Sequence, residues 1–221
     1  MQAQIIVDEW IANNDPDTRL SLKNLGMTSL PSLPSNVRYL DLSCNNLTEL
    51  PLLPESLQIL YAIGNKINFI ASLPKNLNAI YISNNKLTEL PLLPESLQTL
   101  NATSNNINFI ASLPKNLNAI YISSNKLKTL PILPDTLTLL IADNNAIEHL
   151  PHLPDVLEDL HITNNKLTML PNIPNKLRTL FCFGNPLPPE FNSDETEMDW
   201  CMLFYDHESK IEVVRQLYFT A

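Results

Sequence analysis

The chain has 221 residues and a net charge of −9, with 14 Lys and Arg against 23 Asp and Glu. The clustered cationic face needed for nucleic acid, or for an anionic membrane surface, is therefore not expected. Hydrophobic residues make up 44% of the chain but aromatics only 7%, so Leu and Ile must build the core, and 3 glycines leave no room for a glycine-rich phosphate loop. The cysteines, Cys44, Cys182 and Cys201, are odd in number and scattered. That fits unpaired thiols in a reducing compartment better than a disulfide framework or a zinc site.

Residues 1–18 are expected to form an N-terminal helical cap. Ile5, Ile6, Trp10 and Ile11 recur at roughly helical spacing and predict a helix over Gln2–Asn13, ended by Asn13-Asn14-Asp15-Pro16. Asp8 and Glu9 interrupt the apolar run and no basic segment precedes it, which argues against a secretory signal. No apolar stretch reaches the ~18 residues that a membrane-spanning helix needs.

Residues 19–189 repeat every 20 residues. Leu30-Pro31, Leu50-Pro51, Leu90-Pro91, Leu130-Pro131, Leu150-Pro151 and Leu170-Pro171 lie on one grid, with Ile70-Ala71 and Ile110-Ala111 at the remaining points. Leu40, Leu60, Ile80, Leu100, Ile120, Leu140, Leu160 and Leu180 form a second column. Asn45, Asn65, Asn85, Asn105, Asn125, Asn145, Asn165 and Asn185 form a third. Within one unit, Val37, Leu40, Leu42, Asn45 and Leu47 spell LxxLxLxxNxL. Alternation at Leu40-x-Leu42 is the period of a strand, and identical strands returning at a fixed interval stack in parallel about 4.8 Å apart. The Asn amide donates and accepts at once, so this column is assigned as a structural ladder satisfying backbone groups beyond the reach of water. Paired prolines such as Pro51 and Pro54 suit an extended, polyproline-II-like return without helices. The fold class is thus a leucine-rich-repeat solenoid of the α/β class. It is expected as a right-handed superhelix with a parallel sheet on the concave face and a polyproline-II-like convex side. Leu52–Pro91 and Leu92–Pro131 are nearly the same text, which reads as a two-repeat duplication. It alternates an acidic return (Glu49, Glu55, Glu89, Glu95) with a basic one (Lys75, Lys115).

Residues 190–221 are expected as a C-terminal helical cap, with helices over Glu195–Tyr205 and Ser209–Phe219 covering the last coil.

If Leu40 and Leu42 face the core, positions 39, 41 and 43 of each coil face outward. An idle face would be polar there. Instead the candidate partner-binding residues are Tyr39, Ile59, Tyr61, Ile63, Tyr81, Tyr121, Leu139, Ile141, Phe181 and Phe183, rimmed by Asp143, Asp159 and His161. Apolar and aromatic exposure of this extent marks an interaction surface. Asp143, Asp159 and His161 lack a pocket and a nucleophile, so no catalytic residue is assigned. His149 and His152 alone do not supply the converging ligands of a metal site, and no cofactor is expected.

The unit LPxLPxxLxxLxxxxNxL is similar to the LPX-type leucine-rich repeats of bacterial effectors, the YopM/IpaH-like proteins, from about Arg19 to Pro189. The lead-in from Asp8-Glu9-Trp10 to Leu30-Pro31 also resembles that family's helical start. The resemblance implies secretion by a bacterium into the host cytoplasm and binding of a host protein there. Many family members add a ubiquitin-ligase domain with a catalytic Cys-x-Asp motif. Cys201-Met202-Leu203 does not match it, so ligase chemistry is not expected. Two alternatives stand beside this one: the substrate-recognition portion of a ligase effector, or a bacterial surface or adhesion repeat protein. A monomer is expected, with a homodimer through the concave face as the alternative.

Overall fold

The computed structural model describes residues 2–13, 15–188 and 202–203. It divides into two compact units, Met1–Ile107 and Asn108–Ala221.

The first unit opens with α1 (Gln2–Asn13). Its buried contacts come from Val7 and Trp10, three residues apart and so on one face, while Ile5 and Ile11 are 52% and 51% exposed. This corrects the expected face. Val7 joins Trp10 at its centre, and Ile5 and Ile11 fall to the flanks. The Trp10 indole donates to the Thr18 carbonyl at 2.8 Å, tying the helix to the chain entering the first coil. Between them, Asp15 accepts from the Thr18 hydroxyl and the Asp17 amide at 2.7 and 3.0 Å. The Thr18 hydrogen bond, followed by that from Asp17, holds the Asp15 carboxyl below its ordinary pKa.

Five parallel strands follow: β1 (Leu20–Ser21), β2 (Tyr39–Asp41), β4 (Ile59–Tyr61), β6 (Ala79–Tyr81) and β7 (Thr99–Asn101). Every pairing is offset by one repeat, so Leu20, Leu40, Leu60, Ile80 and Leu100 align in register, all fully buried. On the return side β3 (Glu49–Leu50) pairs in parallel with β5 (Phe69–Ile70). The extended return expected from the prolines thus forms a short ladder of its own.

The second unit repeats the design with β8 (Ala119–Tyr121), β9 (Leu139–Ile141), β10 (Asp159–His161) and β11 (Thr179–Phe181). These are parallel and again in 20-residue register. Beyond them β12 (Met202–Leu203) pairs antiparallel with β11. This corrects the helix expected over Glu195–Tyr205 at these two residues. The outer side of β11 presents unpaired backbone groups, and a strand can satisfy them where a helix cannot. The rest of the expected C-terminal cap, including the helix over Ser209–Phe219, lies outside the described residues.

Three recurrent devices lock coil to coil. First, within each unit the ladder Asn bridges back to the preceding coil: Asn85 Oδ1 accepts from the Ile67 amide at 3.0 Å, while its Nδ2 donates to the carbonyls of Ala62 and Ile82 at 2.9 and 3.0 Å. Asn165 does the same with Ile147, Ala142 and Ile162. Second, the residue before each ladder Asn is left-handed, with φ from 52° at Asn164 to 69° at Gly184. The column reads Cys44, Gly64, Asn84, Ser104, Ser124, Asn144, Asn164, Gly184, with Asn24 at the same point of the first coil before Leu25, mostly residues that tolerate this conformation. Third, in alternate coils a hydroxyl staples the return side: Ser56 donates to the carbonyls of Ser35 and Val37, Ser96 to Lys75 and Leu77, and Thr136 to Lys115 and Leu117. A turn precedes β2, β4 and β6 to β11, a proline carbonyl accepting from the amide three residues on, as in Leu57 to Pro54 at 3.0 Å.

Asn85→Ala leaves buried backbone groups unpaired and should cost about 1–3 kcal/mol in urea unfolding. Leu60→Ala, at a fully buried position, should cost about 2–5 kcal/mol. In the capping turn, the Asp15 carboxylate should titrate by NMR below a free aspartate. Its stabilising bonds are present at neutral pH and fade as pH falls through that lowered midpoint. Thr18→Ala should move the midpoint back up; an unchanged midpoint would contradict the assigned cause.

Candidate partner-binding face

In the first unit the outward column is Ser21, Asp41, Tyr61, Tyr81 and Asn101, with each residue directly beside the next through the strand register. Tyr61 and Tyr81 stack with ring centroids 4.8 Å apart and planes 7° from parallel. That separation is the spacing of neighbouring strands, so identical side chains in register are brought face to face by the ladder itself. The Arg19 guanidinium lies over the Tyr61 ring, 5.7 Å from its centroid. Ile59, Ile63 and Tyr39 are half-buried around the pair. The Tyr39 hydroxyl stands 3.5 Å from Gln58 Oε1, a contact too long to hold it firmly. Asp41 is only 7% exposed, and its carboxylate accepts from the Ser43 amide at 3.0 Å.

In the second unit the outward column is Tyr121, Ile141, His161 and Phe181. His161 meets Phe181 edge to face, centroids 4.5 Å apart. Leu139 and Asp159 lie beside this column as neighbours on adjacent strands. Asp143 is tied down by Thr163, whose amide and hydroxyl donate to its Oδ1 at 2.7 and 2.8 Å. Phe183 is 42% exposed at the end of the stack. The thirteen sequence-predicted residues thus fall into two groups: Tyr39, Ile59, Tyr61, Ile63 and Tyr81 on one unit, and the other eight on the second. Every one but Phe183 is half-buried rather than fully exposed.

The greatest apolar exposure lies elsewhere. On the return side Leu52 and Leu92 are 79% and 88% exposed and Phe69 54% in the first unit, with Ile132 at 88%, Phe109 at 60% and Met169 at 59% in the second. None of these residues lies in the outward columns of the strands. For Leu52, Leu92 and Ile132 the signal was the first residue after the leading proline of LPLLP and LPILP, the one of the pair that does not turn inward.

Among the described residues no His, Cys, Asp and Glu cluster of metal-binding size occurs, and no helix is long and apolar enough to cross a membrane. Among the described residues an open cleft lies on the return side, lined by Leu30, Pro31, Leu33, Pro51, Leu52 and Pro54. Cys182 is buried and Cys44 exposed.

A leucine-rich-repeat family model matches residues 36–58. Among solved structures, the chain is similar to the leucine-rich-repeat domain of a Shigella effector. Identity there is 31% and the TM-score 0.67, over 86% of this chain and 78% of that one. It is also similar to YopM, a leucine-rich effector protein from Yersinia pestis, at 33% identity and a TM-score of 0.73. That match covers 92% of this chain and 63% of that one. No curated protein sequence matches the chain significantly.

If the tyrosine stack is an energetic unit, Tyr61→Ala and Tyr81→Ala should be non-additive. A double-mutant cycle should return a coupling of about 0.5–1.5 kcal/mol. Strict additivity would mean the rings touch without stabilising each other.

Proposed function

Because this chain belongs to the leucine-rich-repeat domains of bacterial effectors, we propose that it is a virulence factor delivered by a bacterium into the host cytoplasm, where it binds a host protein. The partner sits on the outward faces of the strands, and the protein acts by binding rather than by catalysis, as a monomer. The observation that carries this reading is the Tyr61–Tyr81 stack, a half-exposed aromatic platform fixed on a hydrogen-bonded ladder. Rigid aromatic side chains lose little rotamer freedom on binding, so each contact they make is cheap in entropy. The His161–Phe181 pair, with Ile141 beside it, gives the second unit a comparable platform. An open sheet face suits a macromolecular surface, whereas catalysis favours a pocket that excludes water.

The test is affinity capture from host-cell lysate with wild type, Tyr61→Ala/Tyr81→Ala and Ile141→Ala/Phe181→Ala, each checked for retained melting temperature. A specific partner should be recovered by wild type and lost with one or both variants. Equal recovery by all three would remove the site assignment. Sedimentation should give a monomer; a tight dimer would redirect the strand face toward self-association.

A further inference from the structure

The strand face of the first unit carries an imbalance of charge opposite to that of the whole chain. The net charge is −9, yet the two exposed charges flanking β1 on that face are Arg19 and Lys23. Neither forms an ion pair with any described residue. The nearby acids are otherwise engaged. Asp41 is buried and hydrogen-bonded to its own turn, and Asp17 pairs with Arg38 at 2.7 Å. The exposed Arg19 side chain reaches back toward the apolar residues, its guanidinium carbon over the Tyr61 ring at 5.7 Å from the centroid. A cation over an aromatic ring leaves its N–H donors available, and the planar guanidinium fork fits a carboxylate. The apolar residues of the same face begin where that guanidinium ends: Tyr61, stacked on Tyr81, with Ile59 and Ile63 on either side.

Resting on the binding role proposed above, we infer that this face takes an extended, acidic–apolar peptide segment of the partner. The segment places an Asp or Glu carboxylate between Arg19 and Lys23 and an aromatic or aliphatic side chain on the Tyr61–Tyr81 platform. β1 and β4 are two strand spacings apart, about 9.6 Å, a distance that an extended chain covers in about three residues. The acidic and apolar residues of the segment therefore lie within about three positions of each other. Unpaired cations also reject basic segments, so charge here selects the partner as well as attracting it.

A phage-displayed random dodecapeptide library panned on the full chain tests this, with the recovered peptides synthesised and titrated by fluorescence anisotropy. The expected result has three parts. The sequences converge on Asp or Glu within about three residues of an aromatic or aliphatic residue. Arg19→Glu/Lys23→Glu weakens them by roughly tenfold or more without lowering the melting temperature. Peptides with Lys in place of the acidic residue regain binding to that charge-reversed variant. Peptides lost with Tyr61→Ala/Tyr81→Ala but indifferent to Arg19→Glu/Lys23→Glu would overturn the acidic preference and leave the strand-face reading intact. A phosphoserine substitute binding about tenfold tighter than Glu would overturn the carboxylate assignment. Peptides indifferent to both variants would remove the inference and the strand-face reading together. Panning that enriches nothing above background would overturn the inference as well.

Discussion

The asparagine amide that reaches back from one coil to the one before it is the interaction on which the rest depends. A repeat unit closes only against its neighbours, so the buried backbone groups inside each turn must be satisfied by side chains or by the adjacent coil. Asn is suited to this because one side chain presents both an acceptor and two donors. In Asn45 the carbonyl oxygen takes the amides of Leu25 and Met27, and the nitrogen serves the carbonyls of Leu22 and Leu42. The left-handed residue just before it turns the chain out of the strand at the point where the amide enters. The two features form a single device: where Cys44, Ser104 and Ser124 occupy that position, the turn persists against an unfavourable backbone preference. The energy of the ladder outweighs the local cost.

That device is also what makes the strand faces rigid. Backbone pairing runs past the formal strand ends, for example from the Leu42 and Cys44 amides to the Tyr61 and Ile63 carbonyls. Outward side chains are therefore held at a fixed step, and tyrosines in register have their rings stacked at the strand spacing. The same constraint sets His161 against Phe181. Preorganisation of this kind removes part of the entropic cost of binding before any partner arrives.

The return side obeys weaker rules. Leu53, Leu93 and Leu133 point inward and are buried, whereas Leu52, Leu92 and Ile132, one residue earlier, stand almost fully in solvent. The hydroxyl staples of Ser56, Ser96 and Thr136 recur in alternate coils, those of Ser56 and Ser96 at matching positions of the two-repeat duplication. Adjacent coils thus differ in how they are fastened on this side while remaining alike on the strand side.

The sequence alone determined the 20-residue step, the buried leucine columns, the Asn positions, the N-terminal helix and which residues of each strand share a face. These follow from periodicity, and periodicity survives into the fold because every coil packs on a near copy of itself. Tertiary structure decided what depends on distance between unlike elements. It exposed Ile5 and Ile11 while burying Val7, since the helix docks through the edge that meets β1. It set Met202–Leu203 as a strand, because the pairing groups of β11 outweigh local helical spacing. It placed Arg19 over a ring two strands away, a contact between residues 42 positions apart that no local pattern encodes.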